Sequence, residues 1–386
     1  MLLTIVIFVL VLSVLVFAHE LGHFFTARRF GVKAEEFGFG FPPRGIGVYK
    51  NKHGKWRWIF GNRSVESLET AEDDNLHPAA KSTVYSLNVL PLGGFVKIKG
   101  ENGEGENDKD SFSYQKIWKR IIILSAGVIM NVILAWVLFS VGYIIGLPQS
   151  TDTVGKNAIV SEPYVMIATV MPNSPAAIAG LKEGDAVLRI NNEVVGSEKS
   201  LQDAVAKNDG VVTNLSIKRG DQEIAVFVTP ASKDGGRATM GVAIFSAGLV
   251  RYPFFSALIE GAKTTGWMIK EIFSAFINLF KDIFAGHKVG DQFAGPVGIA
   301  TITGQAARLG FSYLLQFTAL LSLNLAVINI LPLPALDGGR IFFLLIEKIK
   351  GKPMKREVEA IIHNTGFLLL IALILFITYR DIIKLF

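Results

Sequence analysis

Cysteine is absent from the 386 residues, and charged side chains make up only 19% of them. The first absence excludes disulfide frameworks and thiolate metal ligands, so any bound metal must be held by histidine and carboxylate. The second falls below the ~25% usual in soluble domains. Charge is missing altogether from Met1 to Ala18, where only Thr4 and Ser13 are polar. Half of the chain is hydrophobic, with 28 phenylalanines, which is the composition of a membrane protein. The net charge of +6 gives no case for nucleic acid, because the basic residues gather beside apolar runs.

Directly after the uncharged run comes His19-Glu20-Leu21-Gly22-His23, an H-E-x-x-H motif. On a helix, His19 and His23 are i and i+4, so both imidazoles leave one face and can grip one zinc ion. Glu20 lies beside them, placed to take a proton from an activated water. The motif is short enough to arise by chance as a charged helix face with two solvated histidines. Three helical turns of apolar residues lead into this one, and ionisable groups in such a setting mark function. A secretory signal peptide would want a basic start, a shorter core and a small-x-small cleavage site. The run is therefore expected to be a retained span.

Four segments are long and apolar enough to cross ~30 Å of hydrocarbon, at about 2–27, 119–146, 312–332 and 361–379. Arg28, Arg29 and Lys33 follow the first. Lys116, Lys119 and Arg120 precede the second. Lys348, Lys350, Lys352, Lys355 and Arg356 lie between the third and fourth. By the positive-inside rule all three clusters face the cytoplasm, which puts both termini and the 147–310 region outside. At 1.5 Å per residue, His19 lies roughly 27 Å along the first helix, near the inner membrane edge. Asp337, just after the third span, falls at a similar depth.

Residues 34–115 read as a cytoplasm-side insertion with strands at 45–50, 55–60, 84–90 and 95–99, a polar loop at 62–83 and a flexible stretch at 100–110. Residues ~155–245 read as an α/β domain. It has strands at 164–170, 186–190, 215–218 and 224–228, a short capped helix from Asn173-Ser-Pro-Ala-Ala177 and a helix at 201–207. Residues 252–285 have helical period and are expected to lie on the outer membrane face, since a fifth crossing would move Asp337 to the wrong side. The remaining histidines, His53, His77, His287 and His363, are not expected to ligate metal.

The chain resembles the bacterial site-2 proteases, intramembrane zinc metalloproteases, and within them the RseP-like group with a PDZ insert. Ala18-His-Glu-Leu-Gly-His23, Pro91-Leu-Gly-Gly-Phe-Val-Lys97 and the PDZ-like Gly180-Leu-Lys-Glu-Gly-Asp185 carry the resemblance. So do Gly295-Pro-Val-Gly-Ile-Ala300 and Asn324 to Arg340, which contains Leu336-Asp337-Gly338. It implies a polytopic α-helical membrane protein. Four transmembrane helices would carry a cytoplasm-side, membrane-associated β-region and one extracytoplasmic PDZ-like α/β domain, in a bacterial inner membrane. The expected layout is 1–33 first span with H-E-x-x-H, 34–115 β-region and loop, 116–147 second span and 148–250 PDZ-like domain. Then come 251–310 surface helix and loop, 311–340 third span with the L-D-G motif, 341–360 cytoplasmic loop, and 361–386 fourth span and C-terminus.

The resemblance makes Asp337 the third ligand of a Zn2+ ion held by His19 and His23, with Glu20 as catalytic base. Glu36 and Glu347 are the next candidates for that ligand. Asn324 and Asn329 would contact the substrate backbone, the alternative being interhelical hydrogen bonds. Gly93, Gly94 and Phe95 would offer a strand edge to an unwound substrate. The expected partners are single-span membrane proteins, the lipid bilayer and a C-terminal peptide bound by the PDZ-like domain. Expected substrates are anti-sigma factors or remnant signal peptides.

Three departures from the family stand out: a single PDZ module where its best-studied members have two, the 62–83 insertion, and Ala126-Gly127-Val128 in place of Ala-Gly-Pro, with Asn131 retained. None is expected to touch the metal site. A non-enzymatic PDZ scaffold would have no need of Glu20, and a zinc transporter would need more polar residues in its spans.

Overall fold

The computed structural model describes residues 2–61, 82–103, 105–150, 154–155, 157–220, 222–232, 236–287, 295–352 and 354–383. Most of the 62–83 loop, with His77, and Lys288 lie outside the described residues. The chain forms two compact units, Met1–Trp136 with Thr264–Gly304 and Thr318–Phe386, and Val137–Lys263 with Gln305–Phe317.

Four helices are long and apolar enough to cross a membrane among the described residues: α1 (Leu2–Arg29), α2 (Ile117–Ile145), α7 (Phe311–Ile330) and α9 (Arg356–Ile383). They match the four apolar runs of the sequence. The 31-residue α5 (Phe254–Phe284) is not among them. Two further helices, α6 (Pro296–Leu309) and α8 (Asp337–Lys350), are shorter.

In the first unit, α1 crosses α2 at a glycine. A Cβ on Gly22 would sit 2.3 Å from the Ala126 carbonyl oxygen, so this position of the H-E-x-x-H motif must stay bare. Beside α1 lies a sheet of β1 (Ala34–Lys50), β2 (Trp56–Phe60) and β3 (Val84–Ile98), in the order β2-β1-β3. Both long strands fold back on themselves. Residues 34–39 pair with 94–98 in falling register and 36–39 also with 84–87 in rising register, while 44–48 pair with 85–88. Among the described residues the segment 94–98 therefore has one partner segment, on one side only, and forms an edge. The sequence reading of two separate strands in 84–99 missed this continuity.

The sheet is fastened to α1 just before the motif. Ser13 Oγ donates to the Pro91 carbonyl at 2.8 Å and accepts from Gly93 N–H at 3.2 Å. Gly93 has φ +94, and a Cβ there would strike Val16. Phe24 stacks on Phe37 at 4.6 Å, with Ala34, Leu21 and Val96 around them. The pair Glu36–Arg44 is buried in this sheet.

The second unit contains a sheet ordered β4-β10-β5-β6-β8-β9, with β7 added to β6. Its strands are β4 (Leu147–Ser150), β5 (Ile159–Val170), β6 (Ala186–Ile190), β7 (Glu193–Val194), β8 (Thr213–Arg219), β9 (Gln222–Val228) and β10 (Val242–Arg251). Two helices complete it. In α3 (Pro175–Ile178) Ser174 accepts from Ala177 N–H and Pro175 opens the helix; α4 (Glu198–Lys207) carries a Ser197/Ser200 capping box. One face of the sheet and both helices enclose Val165, Ile167, Val187, Leu201, Leu215 and Ile217. The 180–185 turn is held by Asp185, wholly buried, which accepts two bonds of 2.7 Å from Arg219. That contact raises the Arg219 guanidinium above its ordinary pKa.

Candidate metal centre

The regular α1 backbone brings His19 and His23 together, their rings 4.8 Å apart and nearly perpendicular. Both are buried. Asp337 reaches them from the other end of the chain. The third span ends at Ile330, residues 331–336 turn, and Asp337 opens α8 rather than closing α7. The turn is so tight that a Cβ on Gly338 would meet the Leu331 carbonyl oxygen at 2.2 Å. One on Gly339 would meet that of Leu333 at 2.3 Å. This is the physical reason for Asp-Gly-Gly.

Asp337 Oδ2 lies 3.0 Å from His19 Nε2 and 3.4 Å from His23 Nε2, and those nitrogens are 3.1 Å apart. All three ligand atoms fall within 4.8 Å of one another. Yet Asp337 Oδ2 is buried with no hydrogen bond. Three lone-pair donors pressed together without a proton network are what a cation completes. Two neutral imidazoles and one carboxylate suit a tetrahedral ion with its fourth position open. Glu20 lines the same cavity of about 170 Å³ with Phe95, Val96, Ile98, Glu101, Phe112 and Leu124.

The back wall of the centre comes from α2, contrary to the expectation that the Ala126-Gly127-Val128 segment stands clear of it. His23 Nδ1 bonds the Ile123 carbonyl at 2.8 Å. A carbonyl can only accept, so the proton is on Nδ1 and Nε2 is free to ligate. His19 Nδ1 faces the fully buried Asn131 amide at 3.3 Å, whose Oδ1 has no partner. Turning that amide over lets Oδ1 accept from Nδ1–H and frees His19 Nε2 in the same way. Between them, a Cβ on Gly127 would lie 2.4 Å from His23 Nε2. Ile123, Gly127 and Asn131 are i, i+4 and i+8, one face of α2 set against the i, i+4 pair of α1. Spacing from Gly127 was the available sequence signal; a main-chain carbonyl leaves none.

The other site expectations divide. Asn329 reaches the centre, its Nδ2 3.5 Å from His19 Nε2. Asn324 is not brought to it; its amide donates to the Leu320 carbonyl one turn back. Phe95 lines the cavity, while Gly93 and Gly94 lie against Val16 and Phe17 of α1. Glu36 is paired with Arg44 and Glu347 with Arg120, so neither competes for the third-ligand position. His53 sits in the turn before β2, and His287 pairs with Asp282 at 3.2 Å. Glu101, which also lines the cavity and pairs with Arg340, was not singled out from the sequence.

The model of peptidase family M50 matches residues 7–60 and 76–373, a range that contains all of these side chains. The chain belongs to peptidase family M50. Family members similar to it over nearly their whole length include the regulator of sigma-W protease RasP of Bacillus subtilis, 31% identical over 99% of both chains. The zinc metalloprotease RasP of Geobacillus kaustophilus is 29% identical over 99% of this chain and 98% of its own. Among solved structures, the PDZ domain of an SdrC-like protein from Listeria monocytogenes aligns with 22% of this chain and 92% of its own, at 20% identity and a TM-score of 0.21.

Proposed function

We propose that this M50 peptidase is a zinc-dependent intramembrane endopeptidase that cuts single-span membrane proteins. The observation that carries the reading is the convergence of His19 and His23, on a helix long and apolar enough to cross a membrane, with the buried, unbonded Asp337 Oδ2 just after a second such helix. Similarity to enzymes named zinc metalloproteases supports zinc as the ion. Zinc bound there supplies a Lewis acid that polarises the scissile carbonyl and acidifies the attacking water.

The chain's own residues do the rest. Ile123 and Asn131 fix the imidazole tautomers from behind. Glu20 takes the proton of the attacking water and hands it to the leaving amine. A substrate helix must unwind before it is cut, and its freed N–H and C=O groups need partners away from water. The edge segment 94–98, with Phe95, Val96 and Ile98 lining the cavity, is the surface on which an extended substrate would add as a strand. Asn329, whose Nδ2 lies 3.5 Å from His19 Nε2, would bond the substrate backbone beside the ion; Asn324 would have to leave the Leu320 carbonyl to do so.

The charge pattern supports a plasma-membrane protein with cytoplasmic β-region and with both termini and the PDZ-like domain outside. Its substrates would be membrane-tethered anti-sigma factors or remnant signal peptides, the first suggested by the sigma-W regulator among its relatives. The PDZ-like domain, 148–250, would bind C-terminal peptides or screen bulky outer domains. Co-expression with a panel of tagged single-span proteins tests the proposal. Wild type should release a truncated product that Glu20→Gln does not, and equal release by both would reject it.

A further inference from the structure

The fourth span supplies no ligand, yet it grips the loop that aims Asp337. His363, in the first turns of α9, accepts a hydrogen bond from Ala335 N–H through Nδ1 at 2.9 Å. Ala335 has φ +73, a left-handed conformation that a non-glycine residue holds only when its surroundings impose it. One turn further along α9, Gly366 makes room for the same loop: a Cβ there would sit 2.2 Å from Pro334 Cβ. The imidazole is itself fixed, edge-on to Phe343 of α8 at 5.3 Å. Because Nδ1 accepts, the ring proton is on Nε2, which is buried without a partner.

We infer that His363 is a positioning residue for the metal centre. Through the Ala335 amide it holds residues 331–336 in the left-handed turn that presents Asp337 to His19 and His23. The inference rests on the metal reading of that centre. The role requires an acceptor at the δ position of residue 363 and nothing else of histidine's chemistry.

Three variants isolate that requirement. His363→Asn keeps an acceptor at the δ position, His363→Gln moves it one bond outward, and His363→Leu fills the space with no acceptor. Two readouts are taken on the full chain: zinc retention against a chelator, and amide exchange of the 331–336 segment in metal-free protein. A partner bonded directly to a ligand is worth about 10–100-fold in metal affinity, which bounds from above the loss expected for a residue acting one step further out. That loss is expected for Leu and Gln, with faster exchange at Ala335, while Asn stays close to wild type in both. If Leu fails to accumulate, the Asn–Gln comparison carries the test alone. Equal zinc retention and equal exchange across all three variants would overturn the inference. So would Asn behaving like Leu. Wild type that binds no zinc would instead reject the metal reading, and the exchange measurement would still decide whether His363 holds the turn.

Discussion

Replacing Gly127 by alanine adds one methyl group and should abolish the metal site. The new Cβ would stand 2.4 Å from His23 Nε2 and 2.6 Å from His19 Cε1. Against an ordinary contact of about 3.4 Å, the shortfalls are about 1.0 and 0.8 Å. Neither ring can simply back away. His23 is tied to the Ile123 carbonyl and His19 faces Asn131, both on α2 itself. Overpacking of this kind costs about 1–3 kcal/mol, which a protein can survive. A metal site cannot, since ligand distances hold only within about 0.2 Å and the displacement is several times that. Gly127→Ala should therefore express and insert but retain no zinc and cut no substrate. Gly266→Ala, in α5 with open space around the new Cβ, is the matched control and should change neither property. Zinc content and cleavage are measured on both purified proteins. A Gly127→Ala protein with full zinc and full cleavage would refute the placement of α2 behind the imidazoles.

Asn131→Leu should weaken zinc retention by about 10–100-fold, whereas Asn131→Asp, which still accepts from His19 Nδ1–H, should keep it; chelator competition separates the two. Asp185→Ala removes the acceptor of Arg219 and of the Lys182 N–H and should destabilise the 159–228 region by about 1–3 kcal/mol, read as faster amide exchange in β6 and β8. Removing residues 155–245 should raise cleavage of full-length, untrimmed substrates if the PDZ-like domain screens out bulky outer domains. A deletion variant that binds zinc, still refuses untrimmed substrates and loses trimmed ones would show a receptor instead.

Much of the site was legible because it follows helical period. His19, Glu20 and His23 need only a regular helix, and the four spans need only long apolar runs. Asp337 was reachable through its Leu-Asp-Gly-Gly setting, and the glycines there have a direct steric cause. What escaped depends on contacts between elements far apart in sequence. The Ile123 carbonyl has no side-chain signature. Asn131 could equally have bonded another helix. The doubled pairing of 36–39 with both halves of β3 follows from no local propensity, and it leaves 94–98 as an edge at the cavity among the described residues. His363 stood out only as a histidine at the start of the fourth span that ligates no metal, because Ala335's left-handed turn is invisible in sequence.

The most direct test of the account is the metal content of the purified full-length protein, wild type beside Asp337→Asn, before and after a chelator, with cleavage assayed on the same samples. Wild type should hold one zinc per chain. In the variant zinc should be readily stripped and cleavage lost in step, because a neutral amide is a much poorer ligand than a carboxylate. Zinc held as tightly by Asp337→Asn as by wild type, or cleavage by a wild-type protein from which all zinc has been removed, would contradict it.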